Sequence, residues 1–187
     1  MIFSLFKKKE EKWNYKYRAS IGKYFNLTPE ESQKGNYSGE SNFKDVVDPY
    51  PDVGIRLAKG EKCYACFDDL SLKAYRRDGR VGAYGITLRK KVFKGVYLRA
   101  GTGRFAAPKS LQEVSNGSLY VTTRGIFFDG DRKNIKLPWS KIMKEDVGEN
   151  HISLEPSNGE PILFNGNIDP DQAAIMTIVS QAHEHLE

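Results

Sequence analysis

Beyond Gly60 the apolar positions fall into short runs broken by glycine, asparagine and aspartate. The runs recur every 8 to 12 residues or so, the spacing of an antiparallel sandwich or barrel. Residues 62–68 alternate, residues 84–93 mix apolar with glycine and basic positions, and residues 96–100 set Val96, Leu98 and Ala100 against Tyr97 and Arg99. Gly101-Thr102-Gly103 predicts a hairpin turn. The run from Leu119 to Phe128 is dense in β-formers, and Asp129-Gly130-Asp131 predicts a hairpin into residues 134–139, where Ile135, Leu137 and Trp139 share a face. Residues 142–147, 151–155 and 161–165 continue as short strands, the last two joined across a turn at 156–160.

The two ends read differently. Asp169-Pro170-Asp171-Gln172 places an N-cap, a first-turn proline and acidic charge at the positive end of a helix dipole, and Ile175, Ile178, Val179, Ala182 and Leu186 follow at steps of three and four. One amphipathic helix is expected to close the domain. At the start, Ile2, Phe3, Leu5 and Phe6 precede the basic cluster Lys7, Lys8 and Lys9. This candidate interfacial anchor is a single short signal, and stable attachment normally needs two. Trp13, Tyr15, Tyr17, Tyr24 and Phe25 follow, a density of aromatics that expects a packing partner. Thr28 and Pro29 predict the N-cap and first residue of a short helix, after which Gly35 to Asn42 and the prolines of Asp48-Pro49-Tyr50-Pro51 read as loop. Residues 1–56 are thus an extension and linker, and 57–187 the β-domain.

With 187 residues, 39% hydrophobic and 28% charged, the composition is globular and no apolar run approaches the roughly 18 to 20 residues of a membrane span. Two cysteines cannot form a disulfide framework, and no signal-type apolar region opens the chain, so a reducing cytoplasm is the expected setting. The net charge of +5 is uneven: residues 1–60 carry +3, residues 61–112 carry +8 and residues 113–187 carry −6. The middle block concentrates Lys73, Arg76, Arg77, Arg80, Arg89, Lys90, Lys91 and Lys94, with Arg99, Arg104 and Lys109 behind them. Such a block is either a solvated face or the footprint of an anionic partner.

Catalytic and metal chemistry finds little support. Cys63 and Cys66 form a lone CxxC, with only His151, His183 and His185 as further soft ligands and none at finger spacing. On a strand the two thiols point to opposite faces, which predicts small core residues rather than a redox pair. His183 and His185 are two apart on the terminal helix and fall on different faces. The acidic pairs Asp68-Asp69, Asp129 with Asp131, and Glu145-Asp146 are read as solvated turn or strand-end residues. No phosphate loop, cofactor motif or catalytic constellation is present; no cofactor and no metal are expected.

Several segments resemble one family. They are Gly60-Glu61 at the first strand, Lys94-Gly95-Val96 before Arg99, the run Gly117-Ser-Leu-Tyr-Val-Thr-Thr-Arg124-Gly-Ile-Phe-Phe-Asp-Gly130, and Ile135-Lys-Leu-Pro-Trp-Ser-Lys-Ile142. Together they resemble the bacterial pleckstrin-homology-like and GRAM-like domains over residues 57–185. Gly125 departs from that pattern, which often carries arginine or lysine there. The resemblance implies a mainly β fold, a bent antiparallel β-sandwich or part-open barrel capped by a C-terminal helix. It also implies a non-catalytic interaction module that binds protein segments or phospholipid headgroups. The implied anion site lies in loops between early strands, here Arg76, Arg77 and Arg80 with Arg89, Lys90 and Lys91. Arginine forks and lysine point charges suit phosphate, but the phosphoinositide pattern matches loosely, and protein contact is the favoured reading. The competing class is nucleic-acid binding, with basic residues interleaved among Tyr75, Tyr84, Phe93 and Tyr97. Exposed edges and the aromatic extension also invite self-association. The expected location is cytoplasmic, with peripheral attachment at the inner face of a membrane as the alternative.

Overall fold

Thr123 and Arg124 interrupt the densest β-forming run in the chain. In the structure, a computed structural model that describes residues 2–25, 27–34, 48–50, 53–77, 89–93, 96–99 and 109–182, the segment 119–128 is two strands and not one. The strand β4 (Lys109–Thr122) turns at these two residues into β5 (Gly125–Gly130), and Thr122 pairs with Gly125. Gly125 has φ of +153°, and a Cβ there would lie 2.3 Å from the Leu137 carbonyl oxygen. No side chain fits, which explains why glycine stands where the resembled pattern has arginine or lysine.

The described residues form two compact units, 1–74 with 113–187, and 75–112. The first is built on a seven-stranded sheet. It holds β1 (Cys63–Arg77), β4, β5, β6 (Ile135–Pro138), β7 (Ile142–Gly148), β8 (His151–Pro156) and β9 (Ile162–Asn165) in the order β6-β5-β4-β1-β9-β8-β7. Two antiparallel meanders, β4 to β6 and β7 to β9, flank the central β1. The sheet is bent and does not close into a barrel. The reason for the bend is covalent. Laid flat, seven strands about 4.8 Å apart would put the outer two about 29 Å from each other. The edge strands β6 and β7 are joined by the 3₁₀ turn Trp139–Lys141 alone, a link that spans at most about 15 Å.

The concave side holds the core. Leu119, Val121, Ile126, Phe128, Ile152, Leu154 and Phe164 are buried there, with the rings of Phe128 and Phe164 centred 5.1 Å apart. β1 serves this core along most of its length by changing face: Ala65 and Phe67 are buried, then Leu70 and Leu72, and between the two sets Asp69 adopts φ of +55°. The left-handed residue absorbs the one-residue slip that would otherwise point the second pair outward. The helix α3 (Pro170–Ala182) covers the core with Ala173, Ile175, Met176, Ile178 and Val179. Asp169 caps it as expected, its Oδ1 accepting from the Asp171 and Gln172 amides at 3.0 Å.

The aromatic extension is a 23-residue helix, α1 (Ile2–Tyr24). Trp13, Tyr17, Ser20, Ile21 and Tyr24 recur at steps of three and four, and that stripe meets α3. Trp13 is buried and donates its indole N–H to the Ile168 carbonyl at 2.7 Å, and its ring stacks on Tyr17, 5.1 Å away. The Tyr17 hydroxyl lies 2.9 Å from Thr177 Oγ1, and Ser20 donates to Asp171. Trp13, Tyr17, Tyr24 and Phe25 therefore pack within the same chain, whereas Tyr15 is exposed. The short helix α2 (Pro29–Lys34) follows with Thr28 as its expected cap, and the structure makes the cap reciprocal: the Glu31 amide donates to Thr28 Oγ1 at 3.3 Å, and Glu31 Oε2 accepts from the Thr28 amide at 3.0 Å. Ser32 packs so closely on Gly22 that a Cβ at the glycine would sit 1.7 Å from its oxygen.

The second unit contains the hairpin of β2 (Arg89–Phe93) and β3 (Val96–Arg99), with Arg89 opposite Arg99 and Lys91 opposite Tyr97. The expected strand segment 84–88, Ala100, the turn at Gly101 to Gly103, and His183, His185 and Leu186 lie outside the described residues.

Gly125→Ala is expected to cost about 2 to 4 kcal/mol, because it adds both a disfavoured φ and a backbone clash. Urea denaturation checks this: the midpoint falls with an unchanged slope, whereas an unchanged midpoint would show that the turn is not constrained as described.

Candidate functional site

Among the residues that carry the family resemblance, Glu61, Thr122, Arg124 and Trp139 meet at one corner of the sheet. Glu61 is buried ahead of β1, with Oε2 accepting from the Ala58 amide at 2.9 Å and Oε1 2.7 Å from the Thr122 hydroxyl. That hydroxyl also lies 2.9 Å from the Gly125 carbonyl. It has one proton to give, and the carboxylate is the stronger acceptor. Burial works against the Glu61 charge, but the Ala58 amide, the Thr122 hydroxyl and the charges of Lys136 and Arg124 outweigh it and hold the carboxyl below its ordinary range. Trp139 completes the corner: its indole donates to the Thr122 carbonyl at 2.9 Å, and its own amide to the Arg124 carbonyl at 3.3 Å. The Glu61 carboxylate, the Thr122 hydroxyl and the Trp139 indole are turned inward and fasten the fold, whereas Arg124 and Lys136 are exposed.

On the far side of Trp139 the same turn opens a cleft of about 150 Å³, lined by Trp139, Ile142, Met143, Lys144, Glu145 and Ser180. Glu145 is a correction to the expectation of a solvated strand-end pair. Asp146 is exposed and bonds His151 Nε2 at 3.2 Å, but the neighbouring Glu145 turns in toward α3. Its Oε1 lies 2.7 Å from Ser180 Oγ, and its Oε2 is buried with no hydrogen-bond partner. Burial pushes this carboxyl up to about 7, against a smaller opposing effect of the Ser180 hydroxyl. The geometry agrees, because Ser180 Oγ also lies 2.9 Å from the Thr177 carbonyl. A protonated Glu145 can donate to Ser180 while Ser180 donates to Thr177, which gives each proton one acceptor.

The predicted basic site is divided by the structure. Lys73 lies on β1 within the first unit, in register with Leu163 of β9. Arg76 is exposed near the end of β1, Arg77 ends that strand, and both fall in the second unit with Arg89, Lys90 and Lys91 on β2. Arg80 and Lys94 lie outside the described residues. Charge follows this division: residues 75–112 hold ten basic and one acidic side chain, a net +9, and the remainder of the chain carries −4. Of the candidate anchor, Ile2, Phe3, Leu5, Phe6, Lys7 and Lys8 fall on the first two turns of α1. Lys9 pairs with Glu149 at 2.7 Å, between β7 and β8. No helix among the described residues is long and apolar enough to cross a membrane.

Cys63 is buried and Cys66 half-buried, both are free, and burial pushes them up to about 11 and about 12, with Asp68 adding to the second. Neither is a thiolate at neutral pH. Among the described residues no three histidine, cysteine or acidic side chains converge in a metal-like group. No family model matches the chain, and no curated protein or solved structure matches it.

Glu145 makes stability depend on pH. With its carboxyl raised from 4.5 to about 7 in the fold, its contribution is fully present below the unfolded value and is lost as pH rises through the folded one. Glu145→Gln removes this loss and is expected to stabilise the protein at pH 8 relative to wild type by on the order of 2 to 3 kcal/mol, with the gap closing toward pH 5. Thermal melts of both proteins across that range check it, and a pH-independent gap would mean the carboxyl is not buried as described.

Proposed function

We propose that this chain is a non-catalytic interaction module of the pleckstrin-homology-like kind that its motifs resemble, and that it engages a protein partner or an anionic membrane surface through the segment 75–112. The observation that carries this reading is the partition of charge, +9 on 38 consecutive residues against −4 on everything else. A solvated surface has no need to gather its cations in one unit. The sheet order supports the family reading. A first strand lies between two antiparallel meanders and a helix follows last, as expected of a bent sheet capped at its open end. The cytoplasm, with peripheral attachment to a membrane, is the setting that fits such a module. The basic start of α1 supplies the second signal that attachment requires.

Sedimentation with vesicles tests the reading. The wild-type chain is expected to pellet with phosphatidylserine-containing vesicles or to capture an acidic protein partner at about 50 mM salt, and to release at about 200 mM. Arg76→Glu, Arg77→Glu and Arg80→Glu together are expected to abolish that binding while leaving the melting temperature of the sheet within about 3 °C, since surface changes cost little. Binding that survives the triple reversal would reject the segment as the site. Preference for single-stranded oligonucleotide over vesicles and protein would replace this reading with the nucleic-acid one.

A further inference from the structure

Between Lys9 and Tyr24 the helix α1 buries only Trp13, Ser20, Ile21 and Gly22. Its contact with α3 is uneven in chemistry. On α1 the contact is made by an indole, an isoleucine and two tyrosines; on α3 it is made by Asp171, Ala174 and Thr177, which recur at steps of three on one face. Ala174 on that face has no exposed surface and stands outside the core cluster, so α1 is its cover. This face of α3 is small and polar enough to stand in water, whereas the aromatic stripe of α1 requires a partner. The contact is fastened by the Trp13 indole, the hydroxyls of Tyr17 and Ser20, and the ion pair of Lys9 with Glu149. The phosphate and carbonyl oxygens of a lipid headgroup accept bonds from the same groups.

The charge on α1 points to what takes the place of α3. Residues 2–24 carry seven basic and two acidic side chains, a net +5. Lys9, Lys12, Lys16 and Lys23 recur at steps of three, four and seven, which sets them along one flank of the stripe, and all four are exposed. Aromatic rings beside lysines with long stems are the composition of a helix that lies in a membrane interface. A water-soluble polyanion satisfies the lysines and leaves the rings uncovered; a lipid surface serves both. Arg18 bonds the Gln33 carbonyl and Gln33 the Tyr15 carbonyl, so α2 can part from α3 together with α1.

We infer that α1 is an interfacial helix held closed on α3, and that an anionic lipid surface replaces α3 as the partner of its aromatic stripe. The exposed lysines meet the surface first, and the stripe follows as headgroup oxygens take over the bonds held by Ile168, Asp171 and Thr177. α3 then acts as a lock: it competes with the membrane for α1, and the unattached chain keeps the stripe covered. The inference concerns α1 and stands apart from the segment 75–112.

Full-length chains are sedimented with phosphatidylserine-containing vesicles and with phosphatidylcholine vesicles at about 50 mM salt, and quenching of tryptophan fluorescence by brominated acyl chains reports whether an indole enters the bilayer. Asp171→Ala combined with Thr177→Ala unlocks α1 without changing a residue on it. The pair is expected to raise affinity for the anionic vesicles about tenfold, the weight of two lost hydrogen bonds, and to increase the quenching, which Trp13→Phe in the same background abolishes. Placed in the Arg76→Glu, Arg77→Glu and Arg80→Glu background, the pair is expected to give the same rise, which separates this inference from the reading of the basic segment. Unchanged affinity with unquenched tryptophan in the unlocked chain would overturn the inference, as would equal pelleting with the neutral vesicles. If the melting curve showed that the pair unfolds the chain, Tyr17→Phe, which loses the bond to Thr177 and keeps the ring, takes its place with an expected rise of about threefold.

Discussion

Three residues carry the chain from one edge of a seven-stranded sheet to the other, and that short link sets the shape of everything around it. Because Trp139–Lys141 is too short to cross a flat sheet, the sheet must curl, and the curl makes the concave side that Phe128, Ile152, Leu154 and Phe164 fill. Trp139 is the pivot. Its indole is fastened to the Thr122 carbonyl, which ties the link to the β4–β5 turn, and Glu61 fastens the side chain of the same threonine to the start of β1. These contacts bring together residues 61, 122 and 139, so the corner joins both meanders to the strand between them.

The same geometry separates the roles of the chain. At the corner Glu61, Thr122 and Trp139 bond one another and the neighbouring backbone, which stabilises the fold. Trp139 also lines a cleft between β7 and the end of α3, where Glu145 has one oxygen bonded to Ser180 and the other buried without a partner. Residues 75–112 carry a net +9, against −4 on the rest of the chain. The proposed recognition segment is thus set off by its net charge from a remainder that carries both signs with a small acidic excess. Changes in that segment are then cheap for the core.

How far the fold and the site were legible in the sequence depended on whether the signal was local. The N-caps were readable, because Thr28 and Asp169 act on amides within three residues of themselves. The strands of the second meander followed from alternation and turn residues. The break at Thr123 and Arg124 was hidden because threonine is itself a good β-former; only Gly125 marked it, as a departure from the family pattern whose cause lies in the backbone. The change of face at Asp69 left no compositional trace. The helical stripe of α1 was present in Trp13, Tyr17, Ser20, Ile21 and Tyr24, but lysines, glutamates and tyrosines around it blurred the period, and half of the stripe is polar because it bonds to α3 through hydroxyls. The basic segment was visible from charge alone. Glu145 was not, since nothing in Lys-Glu-Asp distinguishes a carboxyl that turns inward from one that turns out. That difference arises from α3, 35 residues away, placing Ser180 against it.

The claim that the edge-to-edge link makes the two meanders one cooperative body is tested most directly by native-state hydrogen exchange with Trp139→Phe. The substitution removes the indole bond to Thr122, worth about 1 kcal/mol with some loss of packing besides. The account predicts that the slowest amides of β5 and of β8, which lie in opposite halves of the sheet, exchange through the same global opening and lose the same opening free energy. If the amides of β5 were weakened while those of β8 kept their wild-type protection, the halves would be independent and the account contradicted.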